Sequence, residues 1–113
     1  MKISSPVFKD GEEIARRYTC DGLGISPPLK FSKIPGRARS LVLMVDDPDA
    51  PSGNFTHWIV WNIDPIIKKA KEGNVPNKGI EGLNSAGRSG YLCPCGFGTG
   101  FGTGFGAGLE LAH

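Results

Sequence analysis

Two carboxylates and one imidazole stand close together in the middle of the chain. Asp47 and Asp49 belong to the proline-rich segment 47–51, and His57 follows shortly after it. A carboxylate that hydrogen-bonds an imidazole fixes its tautomer and favours its protonated form. A cationic imidazole, together with backbone N–H groups of a loop stiffened by Pro51, would make a small cup for an anion. These residues therefore predict an anion-binding site.

Other interpretations of the same residues stay open. Asp beside Pro is a common turn device, and His57 could be a hydrogen-bonded core residue. A triad with Ser52 is conceivable, although no Gly-x-Ser-x-Gly motif occurs. The spacing of Cys93 and Cys95 is weak for zinc. A divalent metal would have four candidate ligands close in sequence, without support from a second histidine-rich segment: Asp46, Asp47, Asp49 and His57.

The candidate site lies between the two segments with the strongest strand character. Residues 40–45 form a continuous apolar run, which predicts a strand buried on both faces. Residues 55–63 are rich in β-branched and aromatic side chains and predict a second strand, whose odd-numbered side chains should meet the core. Residues 46–54 are dense in turn formers and predict a loop. If the two strands are antiparallel neighbours, the loop carboxylates come near His57.

The remaining segments indicate a mostly β domain with small helical pieces. Residues 6–8 and 29–31 are weaker strand candidates, and residues 66–72 are predicted to form one or two helical turns. Residues 73–90 are rich in loop-forming residues. With 17 Gly and 9 Pro among 113 residues, long helices are not expected.

The end of the chain changes composition abruptly. Glycine occupies every second position from Gly96 to Gly108, in three copies of a four-residue repeat. Such a segment loses much backbone entropy on folding, which its few phenylalanines cannot offset. Residues 96–113 are therefore predicted to be a disordered or weakly packed tail that follows a domain at residues 1–95. Strict alternation also differs from the glycine spacing of a dinucleotide-binding loop.

Composition narrows the class of protein. A chain of 113 residues suits a single domain, and a net charge of +2 is too small by itself to indicate nucleic acid or an anionic membrane as a partner. No apolar stretch resembles a transmembrane helix or a signal peptide. The lack of a signal peptide predicts a cytoplasmic location. The three cysteines agree with it, because their spacing is not that of a disulfide framework.

Several short motifs stand out along the chain. They are Tyr18-Thr19-Cys20-Asp21-Gly22, Ser26-Pro27-Pro28-Leu29, Asp47-Pro48-Asp49-Ala50-Pro51, His57-Trp58 and Gly90-Tyr91. In these motifs and their order, the chain resembles the phosphatidylethanolamine-binding protein family, in particular its bacterial and archaeal Raf kinase inhibitor-like branch, over about residues 3–95. The third motif followed by His-Trp is the most specific of the set.

The resemblance implies an antiparallel β-sandwich with a large sheet and small peripheral helices. It also implies a non-catalytic protein without a cofactor, which binds phosphate, a phosphorylated small molecule or a phospholipid headgroup. A kinase or a protease is the kind of protein partner it suggests. The ligand-binding residues carried over from the family are Asp47, Asp49, Pro51, His57, Tyr91 and Pro94.

The resemblance weakens after Leu92. The family usually continues with Gly-Pro-Cys-Pro-Pro and a His-Arg-Tyr strand, whereas Cys93 stands here for that glycine and Gly96-Phe97 for the two prolines. The later strands, the final helix and a second pocket histidine are then missing. A C-terminally truncated or altered product without function is therefore the competing interpretation. A hydrolase with His57 as its base is a further alternative, without a convincing nucleophile.

Overall fold

The computed structural model describes residues 2–7, 15–47, 55–93 and 106–112. A short 3-10 helix spans Arg16–Tyr18. The strands in these ranges are β1 (Lys2–Ser4), β2 (Leu29–Ser32), β3 (Ser40–Asp47), β4 (Phe55–Ile63), β5 (Lys69–Ala70), β6 (Ile80–Glu81) and β7 (Gly106–Ala112). No helix within the described ranges is long and apolar enough to cross a membrane.

The strands form two antiparallel sheets that share one core. The smaller sheet has the order β1-β2-β5, and the larger has the order β6-β4-β3-β7. Apolar side chains from both sheets join a single buried cluster, as expected when two sheets face each other. Its members are Leu29, Phe31, Leu41, Leu43, Val45, Trp58, Val60, Ile63, Ile67 and Ala70. The prediction of a mostly β sandwich is confirmed.

Strand β3 is longer and less deeply buried than the sequence predicts. It continues through Asp46 and Asp47, which pair with Thr56 and Phe55 instead of beginning a loop. Alternate side chains of β3 are buried, whereas Val42 and the others between them are only partly covered. Burial on both faces is therefore wrong, because an antiparallel sheet with one face on the core alternates inward and outward side chains.

Strand β4 spans the predicted residues and is the antiparallel neighbour of β3, so both predictions are confirmed. The predicted inward face is confirmed at His57 and Ile63, which are buried, and is wrong at Trp61. The ladder with β3 is interrupted at two bulges, one at His57 and one at Trp61–Asn62. Each bulge adds a residue to β4 and reverses which side chains point inward. Trp58 is consequently buried, whereas Trp61 is 49% exposed.

Two short segments also differ from prediction. Residues 66–72 form no helix, because a segment of this length between Pro65 and Gly73 is too short to be stable as one. Its Lys69–Ala70 instead pairs with β2 as β5, which buries Ala70. A strand lies at residues 2–4, whereas residues 6 and 7 of the candidate at 6–8 form none and residue 8 lies outside the described ranges. Strand β2 confirms the candidate at 29–31. Residues 73–90 are mostly loop, as predicted, apart from β6.

Part of the segment predicted as a disordered tail is a strand. Residues 106–112 pair with β3 along its length, from Ser40 opposite Ala112 to Asp46 opposite Gly106. Backbone hydrogen bonds make this ladder, so a segment rich in small residues can still add a strand to an existing edge. The other residues of that segment lie outside the described ranges.

Candidate functional site

His57 occupies the bulge near the start of β4. Thr56 opposes Asp46 and Trp58 opposes Val45, so His57 is the residue without a place in the ladder. Bulges redirect a side chain in this way and often lie beside functional sites. The side chain is 3% exposed, and its ring centroid lies 4.8 Å from that of Phe55. The sequence therefore places an imidazole in the interior of the protein.

The His57 ring is fixed by a segment far away in sequence. Its Nδ1 lies 2.9 Å from the carbonyl oxygen of Leu92, and the Leu92 N–H donates to the His57 carbonyl at 2.8 Å. A carbonyl oxygen only accepts, so Nδ1 carries a proton and donates it to Leu92. Nε2 is then the nitrogen that gains or loses a proton with pH. The two bonds hold residues 91–93 beside the bulge.

Of the two acidic residues of the predicted site, Asp47 lies at the end of β3, next to the bulge, where it follows Asp46. The backbone of Asp47 opposes Phe55, and that of Asp46 opposes Thr56. Asp46 Oδ1 is buried and accepts no hydrogen bond from a described residue. Because Leu92 occupies Nδ1, a carboxylate contact with the His57 ring would have to involve Nε2. Of the other predicted ligand-binding residues, Asp49, Pro51 and Pro94 lie outside the described ranges.

Tyr91 forms a wall between the site and the core. Its ring meets that of Trp58 edge-on, with centroids 5.8 Å apart and planes at 88°. Its hydroxyl donates to the Tyr18 carbonyl at 2.8 Å. Burial raises the pKa of the Tyr91 phenol far above its ordinary value, and Cys93 adds to this effect. The phenol therefore keeps its proton at neutral pH and uses it in the hydrogen bond to the Tyr18 carbonyl.

An exposed ion pair holds Tyr18 in position. Arg17 donates through Nε and Nη2 to the Glu72 carboxylate, with a closest distance of 2.6 Å, and the Tyr18 hydroxyl donates to the same group at 3.0 Å. The hydrogen bond from Arg17, then that from Tyr18, lowers the pKa of Glu72 from its ordinary 4.5. Glu72 thereby connects the turn after β5 to Tyr18, whose carbonyl accepts the hydrogen bond from Tyr91.

Replacement of Glu72 should change how stability depends on pH. A carboxyl with a lowered pKa in the folded protein stabilises it above the unfolded-state pKa, and this contribution is lost as the pH falls through the folded value. The stability difference between the protein and Glu72→Gln should therefore be largest near neutral pH and shrink below about pH 4.5. Urea unfolding at several pH values measures it. A difference that stays constant down to pH 3 would contradict the proposed bonds.

Asn84 organises the loop that leads from β6 to Tyr91. It is 6% exposed, and its Nδ2 donates to the Gly90 carbonyl at 3.1 Å. Its Oδ1 accepts the N–H groups of Ala86 and Arg88 at 3.0 and 3.2 Å. One buried amide thus satisfies three backbone groups of a loop that is also bonded to Thr56 at Ser85. The loop delivers residues 91–93 to the bulge.

We expect Asn84→Ala to lower the free energy of unfolding by about 1–2 kcal/mol, because it removes three part-buried hydrogen bonds to the backbone. Asn77→Ala is the matched control, since Asn77 is exposed and only its backbone carbonyl is bonded. Urea unfolding followed by circular dichroism measures both variants. Equal midpoints for the two would show that the Asn84 side chain does not organise the loop.

Glu81 fixes the position of Trp58, in addition to the contact with Tyr91. The Trp58 Nε1 donates to Glu81 Oε2 at 2.8 Å. Gly90 lies against the same carboxylate with a φ of 110°, and a Cβ there would come within 3.4 Å of Glu81 Oε2. The Trp58 indole is therefore held in one orientation by its hydrogen bond, and it keeps its edge-on contact with Tyr91.

Two cysteines meet beside this wall. The Cys20 and Cys93 sulfurs are 3.1 Å apart, and the Cys20 sulfur is also 3.5 Å from the Cys93 carbonyl. A separation of 3.1 Å is longer than an S–S bond of about 2.05 Å, so this contact is not the disulfide bond that Cys20 forms. The sulfur contact brings the loop of residues 19–24 onto the segment that follows Tyr91.

The alternative chemistries gain no support from the described part of the chain. Within it, no three His, Cys, Asp or Glu side chains cluster as ligands for a metal. Ser52 and Asp49, which the triad and metal interpretations need, lie outside the described ranges.

Three features of the site were not predicted from the sequence. The role of the Leu92 carbonyl depends on a contact between residues 35 positions apart, which no local pattern reveals. The buried Asp46 oxygen follows from the register of β3, and Asp46 was considered only as a metal ligand. Asn84 carried the one usable signal, since Asn within a glycine- and serine-rich loop often bonds its own backbone.

Comparison with known proteins gives a consistent result. A family model described as phosphatidylethanolamine-binding protein matches residues 4–98. A UPF0098 protein of Chlamydia trachomatis is 45% identical over 100 residues, which are 84% of this chain and 66% of that protein. A UPF0098 protein of Pyrococcus horikoshii is 48% identical over 101 residues, which are 84% of this chain and 50% of that protein.

Solved structures agree with the sequence relatives. A phosphatidylethanolamine-binding protein homologue from Chlamydia trachomatis superposes with a TM-score of 0.78 at 45% identity, covering 82% of this chain and 63% of its own. Escherichia coli YbcL, described as a member of the mammalian PEBP family, gives 0.73 at 28% identity, with 82% and 66% covered. The chain thus spans less than two thirds of the first structure's length.

Proposed function

Because this chain belongs to the phosphatidylethanolamine-binding protein family, we propose that it is a binding protein that takes a phosphate-bearing small molecule at His57. The observation that carries the proposal is the buried imidazole in the β4 bulge, oriented by the Leu92 carbonyl from 35 residues away. Burial of a titratable ring in a fixed orientation is a feature of binding and catalytic sites.

The orientation of the ring determines what it can offer a ligand. Nδ1 donates to Leu92, so Nε2 is the nitrogen through which the ring can meet a ligand. In the protonated ring, Nε2 becomes a donor with positive charge, which suits a phosphate oxygen. Binding of an anion therefore favours the protonated ring, and we expect the affinity to fall as the pH rises.

The neighbouring Asp46 carboxylate favours a ligand that also carries positive charge. Asp46 Oδ1 is buried at the end of β3 without a hydrogen bond from a described residue. This carboxylate would repel a bare phosphate and attract an ammonium group. A zwitterionic headgroup such as phosphoethanolamine offers a phosphate to His57 and an ammonium group to the carboxylate, so we propose it as a better ligand than inorganic phosphate.

Catalysis is not part of the proposal. General acid–base chemistry needs a nucleophile or a positioned water near the imidazole, and the sequence offers no convincing nucleophile for it. A regulatory partner such as a kinase or a protease, and a location in the cytoplasm, stay predictions from the resemblance and the composition.

Titration calorimetry with phosphoethanolamine and with inorganic phosphate tests the proposed function. His57→Asn is the informative variant, because the asparagine amide can replace Nδ1 as the donor to Leu92 while Nε2 is lost. We expect binding to the original protein, tighter for phosphoethanolamine, and none to His57→Asn. Equal heats for the two proteins, or no heat from either ligand at millimolar concentration, would refute the proposal.

A further inference from the structure

Two lysines face each other on the outer surface of the smaller sheet. Lys30 of β2 lies directly opposite Lys69 of β5, and both are exposed. Their neighbours Leu29 and Ala70 are the paired residues that point into the core. Like charges directly opposite each other destabilise a sheet. The stability of the sheet therefore does not explain this pair, whereas a negatively charged partner would offset its repulsion.

The positive charge extends across the sheet. Lys2 of β1 opposes Ser32, which places it diagonally beside Lys30 on the same exposed surface. The other outward side chain of β1 is Ser4, which is neutral. Among the described residues, none of these three lysines forms an ion pair. We call this surface, formed by Lys2, Lys30 and Lys69, the basic face.

An apolar cleft adjoins the basic face. It has a volume of about 540 Å³, and Ser32 belongs to both surfaces. Its apolar lining includes Ile34 and Ile66, and Ile66 is 74% exposed. Two more lysines, Lys33 and Lys68, stand at the same cleft. A large exposed aliphatic side chain between lysines combines apolar surface with positive charge in one place.

We propose that the basic face and its cleft dock this protein on the surface of an anionic lipid bilayer. Lysines near such a surface attract its negative headgroups, and an exposed apolar side chain such as Ile66 enters the boundary between headgroups and acyl chains. A nucleic acid would use the charge and leave Ile66 without a role. The docking surface contains none of the residues of the His57 site, so it is independent of the proposed ligand.

Co-sedimentation with vesicles tests the proposal. The probes are vesicles of phosphatidylserine with phosphatidylcholine and vesicles of phosphatidylcholine alone, at low and at raised salt. We expect binding to the anionic vesicles only, weakened by salt, because salt screens exposed charges. The double variant Lys30→Gln with Lys69→Gln should lower the affinity for anionic vesicles by about 25-fold, because each lysine near an anionic surface contributes roughly fivefold.

A matched variant removes the same charge elsewhere. Arg16→Gln with Arg88→Gln replaces two exposed cations outside the basic face and should change vesicle binding far less. Equal losses in the two double variants would mean that net charge alone causes binding, and the proposal would fail. All four substitutions are at exposed side chains, and circular dichroism verifies folding. Relief of the Lys30–Lys69 repulsion should leave the melting temperature unchanged or raise it.

Ile66→Ser separates a membrane from other polyanions. We expect it to weaken vesicle binding and to leave any binding of duplex DNA unchanged. If DNA binds as tightly as the vesicles and Ile66→Ser affects neither, the basic face is a general polyanion surface and the membrane proposal is wrong. Absence of binding to anionic vesicles at low salt would also overturn it.

Discussion

Trp58→Ala is expected to lower the free energy of unfolding by about 3–5 kcal/mol, the range for truncation of a large aromatic side chain in a core. Trp58 is 1% exposed, packs edge-on against Tyr91 and donates to Glu81. Its removal leaves a cavity and an unpaired carboxylate. It also removes the wall behind the site, so ligand binding should weaken together with stability. Urea unfolding followed by circular dichroism measures the effect.

Trp61 provides the control within the same strand. It is 49% exposed because, after the bulge at His57, side chains alternate from the buried Trp58 and Val60 and place Trp61 on the outer face. Trp61→Ala should therefore cost much less than Trp58→Ala, near the values of ordinary surface substitutions. Trp58→Phe keeps the ring packing and removes the bond to Glu81, so it should fall between the two. If Trp61→Ala costs as much as Trp58→Ala, the assignment of faces in β4 is wrong.

His57→Leu is expected to abolish ligand binding and to lower the free energy of unfolding by about 1–3 kcal/mol. The stability loss arises because leucine cannot donate to the Leu92 carbonyl, which keeps its desolvation cost without its hydrogen bond. Binding is lost because no ring nitrogen remains. Urea unfolding and calorimetry on the same variant measure the two effects.

His57→Asn distinguishes the two roles of the histidine. Its amide can still donate to Leu92, so this variant should keep more of the stability than His57→Leu while losing ligand binding. Equal stability losses in the two variants would show that the bond to Leu92 contributes little. Ligand binding by His57→Asn at the original affinity would remove Nε2 from the site.

The sequence predicts the strands of the site better than the orientation of their side chains. The bounds of β4 follow from its run of β-branched and aromatic residues, and its pairing with β3 from their adjacency in the chain. The inward face of β4 fails because the bulge at His57 leaves no mark in the hydrophobic pattern. Asn62, with a φ of 60°, is a residue type that tolerates this conformation, but one Asn in a strand is a weak signal.

The architecture around His57 depends on contacts that are distant in sequence. The bond to Leu92 joins residues 35 positions apart, and the bond from Tyr91 to Tyr18 joins residues 73 positions apart. Local propensity carries no information about such pairs. For the same reason the segment 66–72, predicted to be helical, contains strand β5 instead. Pairing with β2 and burial of Ala70 outweigh its weak helical tendency.

The most direct test of the His57 site is the NMR signal of its imidazole during titration with phosphoethanolamine. His57→Asn assigns the signal, because His113 is the only other histidine in the sequence. We predict a saturable change at His57, none at His113, and weaker binding as the pH is raised. A His57 signal that does not move at millimolar ligand, or one that moves equally at high and low pH, would contradict a protonated imidazole as the group that holds the ligand.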